Sequence, residues 1–172
     1  MPAPPWISAF PELNVRTYVT VDGKPGVFFF SLDAGNPVAV GAAKTLLNLP
    51  YFAAKMEVRV GDDGNVQYES RRSSQPGAEF SARYRGLGDR HVPVAGTLEY
   101  FLTERYCLYA VDHTDHAYRL NIHHPAWTLE RGEGEIALNT MTQAAGIRLP
   151  DVEPLFHFSK RQDAACWAPE RI

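Results

Sequence analysis

The sequence predicts an α+β, mainly β fold: an antiparallel, curved or barrel-like sheet carrying two or three helices. Three observations point there. Segments that alternate apolar and polar residues recur along the chain, beginning with Leu13, Val15, Thr17, Val19 and Val21 set against Asn14, Arg16, Tyr18 and Thr20. Short turn clusters such as Asp22-Gly23-Lys24-Pro25-Gly26 and Gly61-Asp62-Asp63-Gly64-Asn65 separate them. Helical signals are few and short.

Taken in order, residues 1–11 are Pro-rich and extended. The first strand spans about 12–21 and forms a hairpin with Val27–Leu32, which is apolar on both faces and therefore covered on both sides. Asn36-Pro37 starts a helix, with Asn as cap and Pro at the first helical position, and Asn48 and Pro50 end it after Leu47. Strands follow near 53–60 (Met56, Val58 and Val60 inward), 65–72 and 78–85. A Gly/Pro loop fills 86–96, and Thr97 caps a short helix to Thr103. Residues 106–112 and 116–123 form a second hairpin, and Pro125-Ala126-Trp127 breaks it. A strand near 128–137, a helix near 139–145 closed by Gly146, and strands within 154–168 complete the chain. With 172 residues, no internal repeat and no long linker, residues 1–172 read as a single domain.

Bulk properties remove several classes of function. The formal charge of −3 and the lack of a basic run leave nucleic acid without an electrostatic footprint. Arg71-Arg72, with Arg83, Arg85 and Arg90, reads as a solvated strand face. No apolar run reaches the length of a membrane span, the N-terminus lacks the pattern of a signal peptide, and Cys107 and Cys166 read as buried free thiols. A cytoplasmic, soluble protein is expected, with no nucleic-acid or membrane partner. No metal or cofactor is expected either. His123 and His124 are adjacent strand residues pointing to opposite faces, His113 and His116 flank a turn, and His91 and His157 add no pattern. A nucleophile elbow and a phosphate loop are both lacking.

The polar side of the first strand carries Glu12, Asn14, Arg16 and Tyr18. Two readings stand: the lining of a polar pocket, or an exposed sheet face. Inside a pocket, Arg16 would need a carboxylate partner or an anionic ligand, and Glu12 and Glu104 are the candidate partners. Glu104-Arg105-Tyr106, where a helix passes into a strand, reads either as a cavity wall or as a local ion pair closing the helix. His123-His124-Pro125-Ala126-Trp127 reads either as an imidazole and indole at a pocket mouth or as a strand end packed by Trp. Tyr51 joins Glu12, Asn14, Arg16, Tyr18, Glu104, His123 and His124 as a candidate ligand-binding residue.

The stretch Ser8–Val19 resembles the signature of the YqjF-like DUF2071 family of uncharacterised bacterial proteins. Phe29–Ala34, Leu49–Phe52, Phe101–Tyr106, His123–Trp127 and Asn139–Met141 continue the resemblance along nearly the whole chain. Members usually carry more residues before the Phe-Pro-Glu-Leu-Asn segment, so this chain is expected to lack an N-terminal portion. An edge strand left open by it would favour a homo-oligomer. The family is similar in turn to acetoacetate decarboxylase, which implies a β-rich, cone-like barrel. In that enzyme a segment like Asn36–Gly41 precedes a lysine pair, one of which forms a Schiff base. Here Leu49-Pro50-Tyr51-Phe52 occupies the neighbourhood, and Lys44 and Lys55 are single, without a neighbouring cation. Glu12 falls near an active-site glutamate of the decarboxylase. The resemblance therefore implies a binder of a small organic acid or carbonyl compound without Schiff-base chemistry. The alternatives are an enzyme using Glu12 or a histidine in acid–base steps, and a structural domain with no ligand.

Overall fold

The structure, a computed structural model, describes residues 10–38, 40–41 and 47–172. Eleven strands form one large mixed sheet that does not close into a barrel. They are β1 Glu12–Val21, β2 Lys24–Ala34, β3 Tyr51–Val60, β4 Val66–Arg72, β5 Glu79–Gly86, β6 Cys107–Val111, β7 Ala117–His123, β8 Glu130–Asn139, β9 His157–Phe158, β10 Ala165–Cys166 and β11 Glu170–Arg171. Among the elements described from end to end are two short helices, α1 Leu98–Thr103 and α2 Met141–Ala144. The mainly β class is as expected. The sheet is mixed rather than wholly antiparallel, because β2 pairs in parallel with both β3 and β6. Among the described residues no helix is long and apolar enough to cross a membrane.

The chain divides into two compact units, with boundaries that fall inside β1, β2, β5 and β8. In the unit of Met1–Val15, Phe29–Tyr84 and Gly134–Glu153, the strands β3, β4 and β5 form an antiparallel meander. Strand β4 shows the period-two rule plainly: Val66, Tyr68, Ser70 and Arg72 are buried, while Gln67, Glu69 and Arg71 are exposed. Val15, Ala78 and Met141 form a core cluster, with Leu13, Phe80 and Ile147 packed against it. Thr140 precedes α2, and its Oγ1 accepts from the Glu79 N–H at 2.8 Å.

Asn36 caps a helical turn as expected: its Oδ1 accepts from the Val38 N–H at 3.0 Å, and Pro37, Val38, Val40, Gly41 and Leu47 are helical. Asn48, at φ 52°, adopts the left-handed conformation that ends a helix. Two expectations fail in this unit. Val58 and Val60 are 40% and 71% exposed, because core cover runs out toward the far end of β3 although the alternation itself is right. Arg72 is buried, as described below.

The other unit holds Arg16–Phe28, Arg85–Glu133 and Pro154–Ile172. Asp22 and Gly23, at φ 50° and 74°, make the two-residue turn whose twist suits a hairpin. Strands β6 and β7 form the second predicted hairpin, with Cys107, Leu108, Tyr109, Ala110 and Leu120 buried. Its turn is organised by Asp112, whose Oδ1 accepts from the N–H groups of Thr114 (2.8 Å) and His116 (3.0 Å). Thr97 caps α1, accepting from the Tyr100 N–H at 3.2 Å. The strands expected within 154–168 are β9 and β10, each two residues long. Cys166 is exposed rather than buried, because β10 makes only a two-residue pairing with β7 and has little to cover it.

Candidate functional site

In the first unit, Glu12 is half-buried and held by two tyrosines. Tyr51 donates its hydroxyl to Glu12 Oε2 at 2.8 Å, and Tyr68 donates to the Glu12 carbonyl at 2.8 Å. Burial, reinforced by the charges of Tyr84, Glu12 and Asp33, pushes the Tyr68 hydroxyl well above its ordinary pKa, so it stays a neutral donor. Asn14 is exposed. Glu12 and Tyr51 are therefore brought together, and Asn14 is not part of their contact.

The same unit contains a polar centre that the sequence did not reveal. Arg72 and Asp33 form a buried ion pair, 2% and 0% exposed, with Arg72 Nη2 2.7 Å from Asp33 Oδ1. Arg72 Nε lies 3.0 Å from Asp33 Oδ2, and Nη1 donates to Gln75 Oε1 at 2.6 Å. The guanidinium lies over the Phe52 ring at 3.9 Å. Arg71, by contrast, is solvated and pairs with Glu79 at 3.2 Å. Reading Arg71-Arg72 as one exposed cluster was wrong because adjacent strand residues face opposite ways.

Lys55 is exposed on β3, and the register sets Arg71 directly opposite it on β4. A neighbouring cation is thus present, contrary to expectation. The missing element is burial, which a Schiff-base amine needs to lose its proton. Lys44 lies outside the described residues.

In the second unit, Arg16 Nη2 donates to the Tyr18 hydroxyl at 3.3 Å, and that hydroxyl donates to the Leu102 carbonyl of α1 at 3.1 Å. Tyr18 also packs on Phe101, with centroids 5.1 Å apart. Arg105, just beyond α1, lies over the Phe101 ring at 4.2 Å and within 5.6 Å of the Tyr18 centroid. Its Nη1 donates to the Glu104 carbonyl at 3.0 Å, and its Nε is buried without a hydrogen-bond partner. Two guanidinium groups therefore stand at one phenol, Arg16 being 5.7 Å from the same ring. Among the described residues neither has a carboxylate partner.

Glu104, one of the two candidate partners of Arg16, is engaged elsewhere. It accepts from the Tyr106 hydroxyl, and its Oε1 accepts from the Trp127 backbone N–H at 3.4 Å. That first contact, together with burial, pushes the Tyr106 pKa up to about 12. His124 is buried, stacked on Tyr106 at 4.6 Å and edge-on to Trp127 at 6.0 Å. Its ring nitrogens lie 2.9 Å from the Pro125 carbonyl and 3.2 Å from that of Arg105. His123 is exposed at the end of β7. Of the two histidines, only His124 joins the Glu104–Tyr106–Trp127 cluster. Arg105, read with Glu104 and Tyr106 as a cavity wall or a local ion pair, is not among the candidate ligand-binding residues that the sequence suggests. The signal that could have found it is its place between Glu104 and Tyr106 directly after a capped helix.

His91 and His157, which had seemed isolated, both reach Glu99, at 2.8 and 3.2 Å. The hydrogen bond to Glu99, with a second to the Asp89 carbonyl, raises the His91 pKa. A raised imidazole value means its stabilising contribution is full below the unfolded value of about 6.5 and is lost as pH rises through the folded value. A proton NMR titration is expected to show His91 titrating above its ordinary value, and Glu99→Gln is expected to return it there; an unchanged titration in that variant contradicts the assignment. Among the described residues no group of three or more His, Cys, Asp or Glu side chains is arranged to hold a metal ion.

Comparison with solved structures defines the fold class. The chain is similar to acetoacetate decarboxylase from Legionella pneumophila subsp. pneumophila str. Philadelphia 1, at a TM-score of 0.59 and 15% identity over 95% of this chain and 66% of that one. A second acetoacetate decarboxylase structure gives 0.60 at 12% identity, over 95% and 68%. Such identities speak for the fold alone. The chain belongs to the DUF2071 family, described as "Uncharacterized conserved protein", whose model matches residues 1–163. It is 45% identical over 167 residues to the uncharacterized protein YqjF of Bacillus subtilis (strain 168), covering 97% of this chain and 68% of that protein. The chain thus spans about two thirds of the length of the proteins it matches.

Proposed function

We propose that this chain binds a small organic acid or carbonyl compound, with the acid group held by Arg16 and Arg105 beside the Tyr18 hydroxyl. The observation that carries this reading is the convergence of two guanidinium groups on Tyr18 with no carboxylate, among the described residues, to neutralise them. A guanidinium presents a fixed fork of donors that suits a carboxylate, and Arg105 keeps a buried Nε without an acceptor. The reading includes no Schiff-base step, since Lys55 sits exposed on a strand face.

Isothermal titration with acetate, pyruvate and neutral acetone tests it. Both acids are expected to bind more tightly than acetone, and Arg16→Ala and Arg105→Ala are each expected to weaken them by about tenfold to a hundredfold, the worth of a hydrogen bond to a charged group. Acid binding indifferent to both substitutions, in variants that melt like the parent, would sink the reading.

The Glu12–Tyr51 contact favours a second reading, an enzyme that uses Glu12 as the acid–base group on a small carbonyl or carboxylate compound. Loss of turnover in Glu12→Gln with ligand affinity retained would support it; a bound acid that is never turned over by the parent chain would count against it.

A further inference from the structure

We infer that the acid held at Arg16 and Arg105 is an aromatic one, its ring lying against Phe101. This rests on reading that pair of arginines as an anion site. Phe101 is 47% exposed, so a large ring meets water beside Arg105, which has no carboxylate partner among the described residues, instead of filling a core. Phe101 belongs to the arginine site directly. One contact joins it to the Tyr18 ring, and another joins it to the Arg105 guanidinium at 4.2 Å. Its remaining surface is apolar and flat, and it is held in place by those two contacts.

Rings held rigidly before binding lose little freedom when a ligand arrives. A short aliphatic acid would satisfy the guanidinium groups and leave this surface in water. An arene carboxylate would satisfy both, because offset or tilted ring contacts add to the charge contact. The adjoining segment supplies the geometry: α1 presents Phe101, and Arg105 follows within one turn's length of chain.

The test compares benzoate with acetate on the full chain by isothermal titration. Benzoate is expected to bind about tenfold more tightly, the size of one good ring contact. Phe101→Leu, which keeps an apolar side chain and is checked by its thermal melt, is expected to abolish most of that preference, read as the ratio of benzoate to acetate affinity. Equal affinity for the two acids in the parent chain overturns the inference but spares the anion site, provided that acetate binding still depends on Arg16. A benzoate preference that survives Phe101→Leu overturns it as well. If neither acid binds, the anion site itself fails, and the inference fails with it.

Discussion

Replacing Arg72 by methionine is expected to lower the free energy of unfolding by about 3–5 kcal/mol, because it leaves the Asp33 carboxylate buried without its counter-ion. The magnitude follows from burial rather than from the pair's net worth. Asp33 is 0% exposed and sits on β2, whereas Arg72 reaches it from β4 across the Phe52 ring of β3. The Arg72 contacts to both Asp33 oxygens and to Gln75 are made only when the three strands are in register. Asp33→Asn keeps the shape and removes the charge, so it strands the guanidinium instead and is expected to cost a similar amount. The combined Asp33→Leu/Arg72→Met variant is expected to recover most of the loss, since a well-packed apolar pair of similar volume can match a buried ion pair. Urea unfolding of the three variants checks this. A loss below about 1 kcal/mol for Arg72→Met would show that water reaches the pair and that it behaves like a surface bridge.

This ion pair also marks where reading the sequence stops. Local signals were strong enough to locate β1, the β6–β7 hairpin, the Thr97 cap and the Asn36 cap, since each depends on residues close together in the chain. Period two was legible in β4 as well, yet it says only that Arg71 and Arg72 face opposite ways. Which of them faces inward depends on Asp33, 39 residues away. The same limit explains Val58 and Val60, whose alternation is correct but whose cover depends on what packs over the end of β3. It also explains Glu99, which gathers His91 and His157 from distant segments.

The candidate site was legible in part for the same reason. Glu12 and Tyr51, and Arg16 and Tyr18, are brought into contact, and all four lie in stretches that carried the family resemblance. Of the two candidate partners of Arg16, Glu104 is taken up locally, because Glu104 and Tyr106 are two residues apart and satisfy one another at the end of α1. Short-range satisfaction removed the carboxylate that a long-range pairing would have needed. Acetoacetate decarboxylase offers the fold at 12–15% identity, but a shared fold does not carry a shared reaction.

Gly26→Ala is expected to destabilise the chain by about 1–3 kcal/mol through overpacking. Gly26 lies on β2 beside the parallel strand β6, where Val27 is in register with Leu108. A Cβ added there would come 2.7 Å from the Cys107 carbonyl oxygen and 2.7 Å from Tyr109 Cε2. The backbone of Gly26 needs no left-handed conformation, so the constraint is space alone. Neither neighbour yields readily. The carbonyl belongs to the main chain of a buried strand, and the Tyr109 ring is 5% exposed and tied by its hydroxyl to the Lys24 carbonyl at 2.9 Å. Relief would have to come from separating β2 and β6, which stretches their ladder and tilts the Asp22-Gly23 hairpin. Tyr109→Leu on top of Gly26→Ala removes one of the two obstructions and is expected to return only part of the loss, because the Cys107 carbonyl remains. Thermal melts and urea unfolding of the single and double variants separate the two contributions. A neutral Gly26→Ala would mean that the strands can part at this point without cost, and the close β2–β6 approach would then not be a constraint on the sequence.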